Sequence, residues 1–193
     1  MTESSDETLP LAGRLLIATP GVLEDPNFRR TVVLMLEHGE NGGLGVVLNR
    51  PSQTPVLEPF PDWDSYTTSP PVLFVGGPVS QQMIIALGKP RPGERPEGFQ
   101  EVLPDRRVGT VDLSRDPFAL AAHLEHLRVF AGYAGWSRGQ LEAEIDAGAW
   151  FVADAEPWDA FSPEPDGLWR DVLRRQGGTI AYFADFPADP RWN

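Results

Sequence analysis

The chain has 193 residues, 28 acidic against 16 basic side chains for a formal net charge of -12, and no cysteine. That length is enough for one generous core, since a domain of this size buries about 70% of the surface its unfolded chain exposes. The charge repels phosphate backbones and anionic lipid surfaces, and the missing thiols exclude disulfides, thiolate zinc sites, iron–sulfur clusters and a cysteine nucleophile.

Residues 1–8 read as a disordered acidic tail and 9–193 as a single domain. The start MTESSDETLP has neither the basic nor the apolar region of a secretory signal, and no apolar run approaches the roughly 18 residues of a membrane span. A cytoplasmic protein without a membrane segment is therefore expected. The run at 13–18 predicts a buried strand closed by the turn at 19–21. Residues 31–36 and 44–48 are β-rich and nearly uninterrupted, with the loop 38–43 between them, which predicts a hairpin. Five prolines make 51–71 mostly loop, with room for one helical turn. A strand at 72–75 is broken by Gly76, Gly77 and Pro78, and a helix is expected from Val79 to Leu87, with Ser80 as N-cap and Gly88 as its stop. The punctuated segment 89–98 reads as a loop, followed by strands near 99–103 and 107–113. Asp116 and Pro117 open a helix expected to reach Leu127. The clearest unit comes next: a strand at 127–134, a turn at Gly135 and Trp136, and a helix with an S-x-x-Q capping box from Ser137 to Gln140 that ends at Gly148. A strand at 149–153 and a helix at 167–176 complete the chain.

Three histidines allow a complete survey of imidazole chemistry. His123 and His126 share a face if their segment is helical, but HLEH matches neither zinc signature, so no metal site is assigned. His38 sits at the hairpin loop beside Glu37 and reads first as a turn residue. Pairing Glu37 with Leu44 places Arg50 opposite Thr31 and Arg30 beside Pro51, so Arg29, Arg30, Asn49 and Arg50 gather at the open end of the hairpin. At about 3.3 Å per residue that end is roughly 20 Å from His38. Three guanidinium groups and an amide suit a carboxylate or phosphate, whereas the competing reading pairs the arginines with acids such as Glu24 and Asp25. The two Gly-containing turns, 76–78 and 135–137, would each present N–H groups at a helix start, yet neither matches a P-loop or a G-x-G-x-x-G motif, so no cofactor is assigned. GWSRG formally fits G-x-S-x-G, but no histidine follows Ser137 and the hydrolase reading fails.

Five blocks carry a resemblance: DPNFRRTVVLMLEH at 25–38, GVVLNRP at 45–51, GGPV at 76–79, AGYAGWSRGQLE at 131–142 and GAW at 148–150. In that order they resemble the bacterial YqgE/AlgH family, from about Leu11 to Phe183. The resemblance implies an α+β fold with α/β layering, a mixed and partly barrel-like sheet flanked by helices, and no agreed catalytic residues. Some members are described as candidate transcriptional regulators. The resulting reading is a non-catalytic regulatory or binding domain that acts through a protein partner or a small anionic ligand, with direct nucleic-acid binding disfavoured. Its ligand residues are Arg29, Arg30, Asn49 and Arg50, with His38 and Trp136 as secondary positions. The alternative is an enzyme on a small anionic substrate held by Arg30 and Arg50.

Overall fold

β-Branched, apolar runs make strands the dominant element. The computed structural model describes residues 11–23, 25–103 and 108–187; the tail expected over 1–8, Glu24 and the expected strand start at Arg107 lie outside them. Ten strands are present among the described residues: β1 (Arg14–Ala18), β2 (Val32–Gly39), β3 (Gly42–Val47), β4 (Pro51–Pro55), β5 (Val72–Val75), β6 (Val79–Pro90), β7 (Phe99–Leu103), β8 (Val108–Val111), β9 (Leu124–Trp136) and β10 (Trp150–Asp154). The helices are α1 (Pro117–Ala121), α2 (Gln140–Asp146), α3 (Leu168–Gln176) and α4 (Gly178–Tyr182). None is long and apolar enough to cross a membrane.

The main path of the sheet runs β10-β1-β2-β3-β9-β6-β8-β7 and is antiparallel throughout. The β4–β5 pair joins it through a parallel contact of β5 with β9. The sheet curls into a half-barrel, and with its few helices the fold is α+β, as the sequence suggested. Both faces of the central strands are covered, which is why 31–36 and 44–48 read as unbroken apolar runs rather than alternating ones. Leu15, Ile17, Leu34, Val46 and Leu48 pack toward Trp169, Val172 and Leu173 of α3. Leu16, Val33, Met35 and Val47 face the other way, toward Leu141 of α2, Trp136 and Trp150.

The β2–β3 hairpin begins with the expected pair, Glu37 against Leu44, but a bulge between Met35 and Glu37 slips the register by one, so Met35 faces Gly45 and Val33 faces Val47. Continued outward, that register sets Asn49 opposite Thr31 and Arg50 opposite Arg30. The turn is also tighter than expected, with strands running to Gly39 and from Gly42. Gly42 has φ 115°, and a Cβ there would lie 2.1 Å from the Trp136 carbonyl oxygen, so only glycine fits.

One expected helix is a strand and another is shorter than expected. Val79–Leu87 belongs to β6: Ala86, Leu87 and Gly88 pair with both β8 and β9, and Ile84 and Ile85 add branched residues suited to a strand. Ser80 has φ 45° rather than the extended backbone of an N-cap, and Gly88 pairs with Gly109 instead of closing a helix. The helix opened by Asp116 is real but short. Asp116 Oδ1 accepts from the Phe118 N–H at 3.0 Å, as a cap should, yet the helix ends at Ala121 because Leu124, Leu127 and Val129 are claimed by β9. The expected unit at 127–147 is otherwise present. Gln140 Oε1 accepts the Ser137 N–H at 3.0 Å, one half of the capping box, while the Ser137 hydroxyl turns to the same oxygen instead of capping the helix, which starts only at Gln140.

Arg128 is the unexpected core residue. It stands on β9 inside an apolar run, is 1% exposed, and stacks over Phe74 at 4.3 Å. Its Nη1 donates to the carbonyls of Ala160 (3.1 Å) and Ser162 (3.0 Å), and its Nη2 to that of Ser69 (2.7 Å). Burial pushes its pKa down to about 10.

Candidate functional site

The residues singled out in the sequence separate into two groups at opposite ends of the β2–β3 hairpin. At the turn end, the His38 side chain is 4% exposed, and its Nε2 lies 3.1 Å from Glu142 Oε1 of α2 without hydrogen-bond geometry. Trp136 is also buried, and its indole N–H donates to Glu144 Oε2 at 2.9 Å. The same oxygen accepts from the Trp150 indole at 2.8 Å, and Gln140 Nε2 donates to Glu144 Oε1 at 2.9 Å. Phe28 packs against both indoles. This cluster clamps α2 to the sheet and leaves neither His38 nor Trp136 open to a ligand. His123 and His126 also part company, because His123 lies in the turn before β9 and His126 on β9, not together on a helix: His123 Nδ1 is 2.9 Å from Glu94 Oε2, while His126 stacks on Phe161.

At the open end, Arg30 and Arg50 go to different partners, and Asn49 ties the backbone of Arg30 and Val32. The Asn49 side-chain Oδ1 accepts the Val32 N–H at 2.9 Å, and its Nδ2 donates to the Arg30 main-chain carbonyl at 2.9 Å. Arg30 holds φ 55°, and its guanidinium lies 4.4 Å over the Trp169 ring and donates to the Phe186 carbonyl at 2.8 Å. Desolvation first, then Arg170 and Arg29, lower its pKa. Arg30 and Asn49 therefore shape the site rather than line it.

Arg50 does line a cleft. Its Nη2 donates to the Arg29 carbonyl, and around it Pro26, Asn27, Val47, Pro51, Val75, Gly77, Pro78 and Gln81 enclose about 220 Å³. Arg50 is the sole charged residue in this lining among the described residues. Burial lowers its pKa, and the field of Asp166 partly offsets that. Asp25, the expected competitor for the arginines, instead accepts from the N–H (2.8 Å) and side-chain amide (2.9 Å) of Asn27. Gly77, with φ 155°, packs its Cα against the Tyr133 carbonyl, so the 76–78 segment forms a wall of the cleft and not a helix entry.

The opposite wall is a bulge in β6. Val79 pairs with Tyr133 and Ile84 with Ala131, leaving Ser80–Met83 with no register partner on β9, while β8 joins only at Ala86. All four residues are exposed, and Ser80 has φ 45°. Sequence reasoning found Arg50 but missed Asn27 and Gln81. Asn27 lay in the quoted block at 25–38, whereas the role of Gln81 depends on a bulge with no local signature.

A larger hollow of about 370 Å³ lies elsewhere, among Glu94, Arg115, Asp116, Leu120 and His123. Two ion pairs lie within it, Arg115 Nη1 at 2.8 Å from Glu97 Oε1 and His123 against Glu94, and Arg95 and Asp116 line it too, so charges of both signs share the space. A partly desolvated cation that is the one charge in its cleft is the simpler candidate for a ligand site.

Comparison with known proteins gives the same fold. The AlgH-like family model matches residues 15–181. A UPF0301 protein of Thermobifida fusca is 48% identical over 99% of this chain and 100% of its own, and one from Streptomyces coelicolor is 49% identical over 100% and 98%. The crystal structure of a Corynebacterium diphtheriae protein superposes with TM-score 0.86 at 34% identity, covering 92% of this chain and 93% of that one. The solution structure of AlgH from Pseudomonas aeruginosa superposes with TM-score 0.68 at 31% identity over 97% and 98%. The chain belongs to the AlgH-like family.

Proposed function

We propose that this chain is a cytosolic, non-catalytic binding domain that holds a small carboxylate- or phosphate-bearing ligand against Arg50. The observation that carries this reading is the cleft itself: a partly desolvated guanidinium as its one charged wall residue, with the amides of Asn27 and Gln81 beside it. A guanidinium removed from bulk water binds an oxyanion through charge-assisted, forked hydrogen bonds more strongly than an exposed one does. No imidazole, carboxylate, hydroxyl or amine lines the cleft among the described residues, so the site offers retention rather than proton transfer. His38 is about 20 Å away along the ladder. Any regulatory output would run through the bound ligand or a protein partner, because a body of net charge -12 repels a DNA backbone.

The test is an amide-resolved NMR titration with acetate, benzoate and inorganic phosphate. Shifts confined to Asn27, Gly77 and Gln81 at millimolar ligand, abolished by Arg50→Gln and strengthened several-fold by Asp166→Asn, are expected. If the cleft amides stay unmoved by all three anions, the proposal fails. Asp166→Asn keeps the test valid if Arg50→Gln is unstable, since Asp166 is exposed and outside the lining.

A further inference from the structure

The geometry points to a specific occupant for this cleft: the free α-carboxylate of an extended peptide or protein tail, with the last residues running along the Ser80–Met83 bulge. This inference rests on the anion-binding reading and adds the class of ligand.

Size argues first. A volume of about 220 Å³ is below the roughly 300–1,000 Å³ of sites that engulf a whole cofactor or drug-sized molecule. The cleft suits the end of a chain, not a dinucleotide. Charge argues second. One guanidinium neutralises one carboxylate, whereas a phosphate dianion would keep an uncompensated charge inside a protein of net charge -12, with Asp166 acting on the same arginine. A monoanion is the better match.

The bulge supplies the third argument. Ser80–Met83 carry no register partner on β9, and β8 joins β6 only at Ala86, so the edge of this stretch on the β8 side has no strand beside it. Gln81, in its middle, also lines the cleft. A chain whose carboxylate sits on Arg50 would leave past Gln81 beside main-chain groups able to pair with its own, which is how extended peptides are held at sheet edges.

The chemistry of the segment fits the same occupant. Exposed strand edges are normally guarded by charge, especially lysine, or by proline. Residues 79–85, VSQQMII, contain neither. Val79 (36% exposed), Met83 (47%) and Val75 (38%) add an apolar rim beside the polar cleft. Methionine suits such a surface because its flexible, polarizable side chain adapts to different partners. The ligand class is therefore a peptide C-terminus with uncharged or apolar final residues, since acidic ones would meet the negative body of the protein.

Fluorescence polarisation against an array of labelled ten-residue peptides tests this, each made with a free C-terminus and with a C-terminal amide. Peptides ending in uncharged residues should bind at least tenfold more tightly as acids than as amides, and tenfold more tightly than acetate measured by competition. Met83→Asp, at an exposed position that does not line the cleft, should weaken the peptides severalfold and leave acetate unchanged. Acetate binding with no gain for any peptide, or equal binding of acid and amide forms, overturns this inference and leaves the anion-binding reading intact. Failure of acetate, benzoate and every peptide alike removes both.

Discussion

Replacing Arg128 by methionine takes a guanidinium out of the core while keeping most of the side chain's length and its contact with Phe74. Three carbonyls, those of Ser69, Ala160 and Ser162, lose their donor. A hydrogen bond from a charged donor contributes about 1.5–3 kcal/mol each. Against this stands the unreturned desolvation of the charge, expressed in the fall of its pKa to about 10, which at about 1.4 kcal/mol per unit is on the order of 3 kcal/mol. Methionine recovers that term, so the net loss expected is about 2–4 kcal/mol. Urea unfolding followed by tryptophan fluorescence measures it as a fall in the midpoint at constant slope. The folded pKa lies below the unfolded one, so the unfolded state binds more protons only from about pH 10 up to the ordinary guanidinium range, and stability from this residue rises with pH across that window alone. The difference between wild type and Arg128→Met should therefore be flat from about pH 6 to 9. A midpoint unchanged or raised by the substitution would show that the loops at 69 and 160–162 do not depend on Arg128, and the argument would be wrong.

Two other perturbations read different parts of the fold. Glu144→Ala strips the acceptor from the Trp136 and Trp150 indoles and from Gln140; at about 1 kcal/mol or more for each orphaned donor, a loss of about 2–4 kcal/mol is expected, with red-shifted tryptophan emission, and unaltered emission would contradict it. His126 has its pKa lowered chiefly by burial, with Lys89 and Arg128 in the same direction and Glu125 opposing. Its unfolded form binds the proton more readily, so stability falls as pH drops below about 6.5 toward the folded pKa. His126→Gln should flatten that part of the stability profile, and an unchanged acid slope would exclude His126 as its source.

How much of this was legible in the sequence depends on whether the deciding contact is local. The hairpin, the unit at 127–147 and α3 were readable because turn residues, caps and periodicity fall within a few positions of each other. β6 was not. Gly76, Gly77 and Pro78 followed by an apolar stretch look like a helix entry, and only the ladders to β8 and β9 decide otherwise. The hairpin register was right at Glu37 and wrong beyond Leu36, since the bulge is set by packing on both faces and leaves no residue signature. The slip also shifts Val33 onto Val47, one residue away from the expected pairing. Arg128 could have been noticed as the lone charge in an apolar run, but the carbonyls it serves lie more than 30 residues away.

Backbone strain gives an independent view of the cleft. Among the described residues, Arg30 (φ 55°) and Ser80 (φ 45°) are the only non-glycine positions with positive φ, and Ser80 is next in sequence to Gln81 of the cleft lining. Arg30 is held there by the bond from Asn49 and the stack on Trp169, whereas Ser80 is exposed and held by the bulge alone. A left-handed conformation costs an L-residue about 1–2 kcal/mol, and a β-branched one more. Ser80→Gly relieves this but loosens the unfolded chain, so stability should change by less than about 1 kcal/mol. Ser80→Val should lose about 2 kcal/mol. At an exposed strand site without such strain the order would reverse, with the valine variant the more stable by up to about 1 kcal/mol. Thermal unfolding of both separates the cases: a clear gap in favour of glycine shows that the fold imposes the bulge on its sequence, and equal or reversed midpoints would mean that Ser80 relaxes freely and that the wall of the cleft is not fixed before a ligand arrives.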